Sequence, residues 1–190
     1  MKVIGISGSP RKGGNSEILL DEALKGARSA GASIEKIILN DLDFKACQEC
    51  GGCDESGSCI IDDDMRLVYK KIAQADRIVI ASPIFFGSVT AQLKAMIDRF
   101  QSLWVKKYVL KKPASPRKKR KGIFLCVSGS DKEGFFKNAR SLVRIFFNTL
   151  DIVYFGDLFC GSVDKKSDIK KRIAVLRKAF ELGAALAHKA

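Results

Sequence analysis

Histidine is scarce and long apolar stretches are absent from this 190-residue sequence. His188, close to the end of the sequence, is its one histidine and is not expected to be catalytic. With no second histidine, we expect no hydrolase chemistry that pairs a serine or cysteine with a histidine. No apolar run reaches the ~18 residues that a membrane-spanning helix needs. The apolar run near Met1 is also too short for a signal peptide, so we expect an unexported, cytoplasmic chain without a membrane partner.

The positive charge is large but unevenly distributed. The sequence has 34 Lys and Arg against 21 Asp and Glu, a formal net charge of +13. Nine basic residues and no acidic residue lie between Lys106 and Lys121, and the rest of the chain is only mildly basic. Because residues 105–121 also contain Pro113 and Pro116 and show no sustained periodicity, we predict a loop or flap there.

Apolar runs of strand length alternate with amphipathic stretches of helical period. Strands are predicted at 3–6, 34–39, 77–81, 123–127 and 152–155. Helices are predicted at 15–30, 65–75, 89–104, 136–150 and 169–187. Parallel strands need crossovers of this kind, so the pattern predicts one doubly wound α/β domain over 1–190, with helices on both faces of a five-stranded parallel sheet. A cysteine-rich loop at 40–61 interrupts it, and Asp62–Asp63–Asp64 then resembles a helix N-cap.

The loop after the first predicted strand has the composition of a phosphate cradle. Ser7, Ser9 and Ser16 supply hydroxyl groups, and Arg11 can add a charge-assisted contact. Asn15 begins a helix whose unpaired backbone N–H groups favour an anion. The alternative is an ordinary glycine-rich turn between a strand and a helix.

Two common nucleotide-binding fingerprints fail in this loop. Gly5 and Gly8 are three positions apart, so G-x-G-x-x-G is absent. The Walker pattern begins at Gly8 and breaks where Gly14 and Asn15 replace Lys-Ser/Thr. Nucleoside triphosphate hydrolysis is therefore disfavoured, and a single esterified phosphate is favoured.

Three segments carry a family resemblance. GISGSPRKGGNS and ASPIFFGSVTAQLKAMIDRF resemble the NADPH-dependent FMN reductase family of flavodoxin-like proteins. The intervening C-x2-C-x2-C-x5-C resembles the iron–sulfur flavoproteins within that family. The resemblance covers residues 1 to about 104. It implies a flavodoxin-like fold, FMN as the ligand and NAD(P)H or ferredoxin as the electron donor.

The resemblance also implies roles for particular residues. It assigns the FMN phosphate to Ser9, Arg11, Asn15 and Ser16. It assigns the lining of the isoalloxazine ring to the loop after strand three, namely Pro83, Ile84, Phe85, Phe86 and Gly87. From the loop after strand four, it brings Ser128, Gly129 and Ser130 towards the flavin. Backbone donors and apolar walls suit a flat aromatic ring. The alternative for Phe85 and Phe86 is packing in the core.

Cysteines are clustered. Four of the six, Cys47, Cys50, Cys53 and Cys59, lie within thirteen residues. In an unexported chain such clustering favours metal or redox chemistry over disulfides. Structural zinc sites usually pair two separated C-x2-C units, whereas three cysteines at successive spacings of three suit a [4Fe–4S] cluster. We predict that cluster, with Cys59 as the fourth ligand; zinc and no metal are the alternatives. Cys126 and Cys160 are predicted to be buried.

These features predict an oxidoreductase that transfers electrons between NAD(P)H or ferredoxin, FMN and a [4Fe–4S] cluster. No catalytic residue is predicted, because the cofactors supply the reactivity. One alternative is a cluster-free NAD(P)H:FMN or quinone reductase. Another is a nucleic-acid-binding protein using 106–121, disfavoured because Tyr108 is its one aromatic residue. That segment could also dock an anionic donor or be a solvated loop. The resemblance implies a homodimer or homotetramer, to which the helix ending at Trp104 could contribute.

Overall fold

Five parallel strands form one sheet in a computed structural model that describes residues 1–115 and 119–188. The strands are β1 (Lys2–Ser7), β2 (Ser33–Ile38), β3 (Arg77–Pro83), β4 (Arg120–Val127) and β5 (Ile152–Cys160). Their order is β2-β1-β3-β4-β5, and every neighbouring pair is parallel. This is the doubly wound order of flavodoxin-like folds, so the predicted fold class is confirmed.

Helices cover both faces of the sheet. They are α1 (Asn15–Ser29), α2 (Met65–Gln74), α3 (Ala91–Arg99), α4 (Gln101–Trp104), α5 (Glu133–Thr149) and α6 (Ile173–Ala187). Short 3₁₀ turns form at Leu39–Asp41 and Asp168–Lys171. Alternate strand residues face opposite layers, so Ile4 packs with α2, α3 and α5 while Val3 packs with α1 and α6. No helix in the described ranges is long and apolar enough to cross a membrane.

Helices α1 and α6 touch backbone to backbone. A Cβ added to Gly26 would lie 1.9 Å from the carbonyl oxygen of Phe180. A Cβ added to Gly183 would lie 1.9 Å from the carbonyl oxygen of Ala23. A side chain at either glycine would therefore force the helices apart.

The prediction of a loop over all of 105–121 is wrong at both ends. Val105–Val109 forms a π-helical turn directly after α4, because Val105 is buried and Tyr108 packs on Trp104 with ring centroids 5.5 Å apart. At the other end, β4 already begins at Arg120. Pro116, Arg117 and Lys118 belong to the same prediction but lie outside the described residues.

Arg120 explains why β4 begins within the basic segment. Its guanidinium is buried and donates to the carbonyl oxygens of Ala75, Leu150 and Ile72 at 3.2, 3.1 and 2.6 Å. Those carbonyls lie at the carboxyl ends of α2 and α5, where a cation and a donor are both favourable. One basic residue that the sequence suggests is solvated thus stabilises two helix ends.

The basic segment enters the sheet at the edge opposite the phosphate loop. Arg120 starts β4 at its amino end, whereas Ser7, Pro83 and Val127 end their strands at the carboxyl edge. The eight residues of β4 span roughly 25 Å. The positive charge of the start of β4 is therefore remote from the predicted phosphate cradle of the same chain.

Candidate functional site

The loop between β1 and α1 is wound tightly before the helix begins. The backbone N–H of Arg11 donates to the Ser9 hydroxyl at 3.1 Å, and the N–H of Gly14 donates to the carbonyl of Arg11 at 3.0 Å. A Cβ on Gly14 would lie 2.9 Å from that same carbonyl, so the turn requires glycine. Gly14 is the N-cap residue of α1, which directs the free N–H groups of the helix start towards the carboxyl edge of the sheet.

A cavity of about 90 Å³ lies at this edge between the loops after β1, β3 and β4. Nine predicted site residues line it: Ser9, Arg11, Asn15, Ser16, Pro83, Ile84, Phe85, Ser128 and Gly129. The loops after β1, β3 and β4 therefore meet at one edge of the sheet. We call this cavity and its lining residues the cradle.

Four predicted site residues do not line the cradle. Ser7 is buried at the end of β1, and Ser130 donates its N–H to the Ser128 hydroxyl at 3.0 Å. Phe86 and Gly87 form the tip of the loop after β3, with φ values of +49° and +75°. Phe86 is fully exposed and Phe85 is 48% exposed, so the alternative that they pack in the core is wrong.

The loop after β5 completes the cradle, and the sequence did not reveal it. Val163 and Asp164 line the cavity, and the Arg11 guanidinium donates to the carbonyl of Asp164 at 3.4 Å. The predicted fifth strand stopped at Phe155, whereas β5 runs to Cys160 and carries this loop to the same edge. The rule that parallel strand tips share an edge would have located it, had the strand been extended.

Glu17 caps the phosphate loop from inside α1. Its carboxylate accepts the N–H of Gly13 at 2.7 Å and pairs with Lys36 at 2.9 Å. Burial raises the pKa of this carboxyl, but the hydrogen bonds from Lys36 and Gly13 lower it more, and the net pKa lies below its usual value. Glu17 lies three residues after the N-cap Gly14, where a capping box places its acidic residue, but its carboxylate accepts from Gly13 rather than from the N-cap residue.

Ser16 shows that the cradle fits a phosphate group. Its hydroxyl is buried, lines the cavity and has no hydrogen-bond partner among the described residues. A buried hydroxyl without a partner is unfavourable, and an anion accepting from it at a helix start would satisfy it. Ser7, at the end of β1 and outside the lining of the cavity, has a second buried hydroxyl of this kind.

The cysteine loop extends from Leu42 to Asp64 and forms no helix or strand. Gly51 and Gly57 adopt positive φ angles of +70° and +68°, which allow it to turn sharply. All four clustered cysteines, Cys47, Cys50, Cys53 and Cys59, line one cavity of about 330 Å³. All are free thiols, and in the described residues no three metal-ligating side chains are gathered as a preformed metal site. Four thiols that line one cavity are the donor type that an iron–sulfur cluster uses.

Arg99 of α3 joins the cysteine loop to the start of α2. Its guanidinium forms two hydrogen bonds with the Asp63 carboxylate, at 2.5 and 3.1 Å, and donates to the carbonyl of Lys45 at 2.8 Å. Its Nη2 also lies 3.4 Å from the sulfur of Cys59. Burial raises the pKa of Asp63, but the hydrogen bond from Arg99 lowers it below its usual value.

The aspartate triplet is an N-cap in part. The N–H of Met65 donates to Asp63 at 3.1 Å, as the capping interpretation requires. Asp64 occupies the N-cap position, yet its carboxylate accepts from the N–H of Asp43 at 2.8 Å. The pairing of Asp63 with Arg99 was not predicted, because it joins positions 36 residues apart.

The two cysteines outside the cluster are buried, and the start of the basic segment lies beside the cysteine loop. Cys126 and Cys160 are buried, as predicted, and burial raises the pKa of both thiols. Lys106 lies against the cysteine loop, since a Cβ on Gly57 would be 2.7 Å from the Cβ of Lys106. Lys107 pairs with Asp151 at 2.6 Å. The start of the basic segment therefore borders the cysteines rather than the cradle.

An open groove of about 490 Å³ runs from Cys47 along α3 and α4 to α5. Trp104 and Ile145 line it and are 42% and 66% exposed. Within the predicted helix at 89–104, Leu93 belongs to the core, whereas Trp104 is exposed. A contribution of this helix to an interface between subunits stays a prediction.

Residues 1–166 match the family described as NADPH-dependent FMN reductase. The chain is 38% identical over 142 residues to an iron–sulfur flavoprotein of Methanosarcina thermophila, covering 75% of this chain and 71% of that protein. It is 47% identical over 103 residues to an iron–sulfur flavoprotein of Methanocaldococcus jannaschii. That match covers 54% of this chain and 53% of that protein, about half of each. The solved structure of an NAD(P)H:quinone oxidoreductase from Methanothermobacter marburgensis superposes with a TM-score of 0.74 at 21% identity. The match covers 100% of this chain and 98% of that chain, so the two share a fold.

Proposed function

Because the chain belongs to the NADPH-dependent FMN reductase family and, within it, to the iron–sulfur flavoproteins, we propose that it is an FMN-dependent oxidoreductase. The observation that carries the proposal is the hydroxyl of Ser16, which is buried in the cradle at the start of α1 and has no hydrogen-bond partner in the described part of the chain. Bound FMN accepts a hydride from a nicotinamide and can release electrons one at a time. The chain's own contribution is to bind and orient it.

We propose that different loops of the cradle bind different parts of FMN. We assign the phosphate to Ser9, Arg11 and Ser16 and the start of α1, where hydroxyl groups, a guanidinium and free N–H groups meet. The isoalloxazine ring is assigned to the loops after β3 and β4, where Ile84 and Phe85 offer apolar surface. Phe86, exposed at the loop tip, is available to cover the outer face of the ring.

We further propose that Cys47, Cys50, Cys53 and Cys59 bind a [4Fe–4S] cluster. Four thiols and no histidine line one cavity, and thiolates are the ligands that such clusters use. Two positive-φ glycines make the loop able to close around a ligand. Zinc and a cluster-free FMN or quinone reductase are the alternatives that the test must separate.

Anaerobic purification, followed by a visible spectrum and assays of FMN, iron and acid-labile sulfide, tests both cofactors. We expect about one FMN and four irons per chain for a [4Fe–4S] protein. Cys50→Ala should lose iron and keep FMN, whereas the matched control Cys160→Ala, outside the loop, should keep iron. Bound zinc without sulfide would establish the zinc site. Protein without iron after anaerobic reconstitution would refute the cluster, and protein that binds no FMN would refute the cradle.

The electron donor is proposed from the family and from charge. A nicotinamide donor agrees with the family description. An acidic carrier such as ferredoxin would suit Lys111, Lys112 and Lys119, which are exposed lysines of the basic segment. Replacing the three with Gln should slow reduction by an acidic carrier at low salt and leave reduction by NAD(P)H unchanged. Loss of nucleic-acid binding in the same variant would instead support a nucleic-acid-binding protein. A homodimer or homotetramer and a cytoplasmic location stay predictions.

A further inference from the structure

Arg99 is a buried cation that the cradle does not use. Its side chain is 1% exposed, and it lines the cavity of the four cysteines. Its two terminal nitrogens bond Asp63, Lys45 and Cys59, whereas its Nε is buried without a partner among the described residues. The guanidinium therefore reaches a sulfur on one side and retains an unused donor.

The energetics of this arrangement need an explanation beyond stability. Burying an ion pair costs several kcal/mol per ion before its attraction is counted, and well-packed apolar residues are often as stable or more so. A guanidinium stays protonated in proteins, so the buried side chain of Arg99 carries a positive charge beside Asp63 and Cys59. A permanent positive charge is thus held against one thiol of the cysteine loop.

We propose that Arg99 is a positioning residue that fixes Cys59 and raises the reduction potential of the [4Fe–4S] cluster. The inference rests on the proposed function of the cysteine loop. Reduction adds one electron to the cluster and thus one negative charge, with no bond formed or broken. A nearby cation and an N–H donor to a ligand sulfur stabilise that added charge. The potential therefore depends on this side chain.

Asp63 provides an opposing charge at the same place. Its carboxylate shares the guanidinium with Cys59 and so offsets part of the positive charge that the sulfur experiences. Removing the cation and removing the anion should consequently shift the potential in opposite directions. A purely structural role predicts no such opposition, because either change would only loosen the contact between α3 and the loop.

The experiment is an anaerobic redox titration of the holoprotein followed by electron paramagnetic resonance. Arg99→Gln removes the charge and should lower the midpoint potential of the cluster. Arg99→Lys keeps the positive charge, so its midpoint potential should lie close to that of the wild type. Asp63→Asn removes the opposing charge, keeps an oxygen for the N–H of Met65, and should raise the midpoint. Arg140→Gln is the matched control, since Arg140 makes a similar pair with Asp157, at 2.9 and 3.2 Å, outside the loop.

The outcomes separate this inference from the proposed function. Arg99→Gln with full iron content and the wild-type midpoint would overturn the inference alone, as would Asp63→Asn lowering the midpoint. If Arg99→Gln does not retain iron, the other two variants decide. A near-wild-type midpoint potential in Arg99→Lys together with a raised midpoint potential in Asp63→Asn supports the inference. Any other pair of results overturns it. Wild-type protein that takes up no iron would refute the cluster itself.

Discussion

The side-chain amide of Asn15 joins the start of α1 to the loop after β5. Its Nδ2 lies 2.9 Å from the carbonyl oxygen of Lys165, 150 positions away, and its Oδ1 accepts the N–H of Ile169 at 3.3 Å. Both ends of one amide thus hold the same loop, which carries Val163 and Asp164 into the cradle. Asn15 frames the cradle in addition to its predicted contact with the phosphate.

Asn15→Ala should weaken FMN binding by roughly tenfold or more, because it frees the loop after β5 and loses one part-buried and one buried hydrogen bond, worth about 1 kcal/mol each. The measurement is a fluorescence titration of the apoprotein with FMN. Asn40→Ala, at an exposed asparagine that does not line the cradle, is the control. An unchanged dissociation constant for Asn15→Ala would show that the loop does not support the cradle.

Ser16→Ala should have opposite effects on the free and the loaded protein. Without FMN the substitution removes a buried hydroxyl that has no partner in residues 1–115 and 119–188, so the free energy of unfolding should stay equal or rise. With FMN it removes a donor to the phosphate, and the dissociation constant should rise about fivefold to thirtyfold. Denaturation with and without FMN measures both, with exposed Ser141→Ala as the control. Weaker stability without FMN would contradict this account of the hydroxyl.

Arg120→Met should lower the free energy of unfolding by about 3 kcal/mol, because three buried carbonyls would lose their donor. Lys119→Met, at the adjacent exposed lysine, should change it by less than about 0.5 kcal/mol. Urea denaturation of both variants checks this. If the two variants had the same free energy of unfolding, Arg120 would be a solvated charge like its neighbours, and its role at the two helix ends would be refuted.

Glu17 should make the protein acid-sensitive. Its pKa in the folded chain lies below the usual 4.5, so its carboxylate stabilises the fold above the unfolded pKa. That stability is lost as the pH falls through the lower, folded pKa. We expect the free energy of unfolding to fall more steeply from about pH 5 to pH 3 in the wild type than in Glu17→Gln. Glu22→Gln, at a glutamate that pairs with Lys25, should follow the wild-type slope. Parallel slopes for Glu17→Gln would contradict the assignment.

Local patterns predicted most of the fold. β1 and β3 are apolar runs covered on both faces, and such runs are visible without any partner. β5 was underestimated because Gly156 and Asp157 interrupt its apolar pattern, and in the fold Asp157 is paired with Arg140. The division of the predicted helix at Phe100 has no glycine or proline to signal it, since helical periodicity continues through it.

The candidate site was predictable where its residues are adjacent in sequence. Ser9, Arg11 and Ser16 have the right chemistry within one loop, and they do line the cradle. Contacts made by distant segments were not predictable. The approach of Arg99 to Cys59 spans 40 positions and depends on how α3 packs beside the cysteine loop. No local spacing encodes such a contact, because tertiary packing alone creates it.

The contact of Gly26 with Phe180 gives α6 a role in the cradle that its place in the chain does not suggest. The family match ends at residue 166, before α6 begins. Yet α6 lies directly on α1, whose first turn forms the floor of the cradle. Local opening of either helix would expose the other, so their amide hydrogens should exchange with solvent as one cooperative unit. Bound FMN would then slow exchange in α6 without touching it.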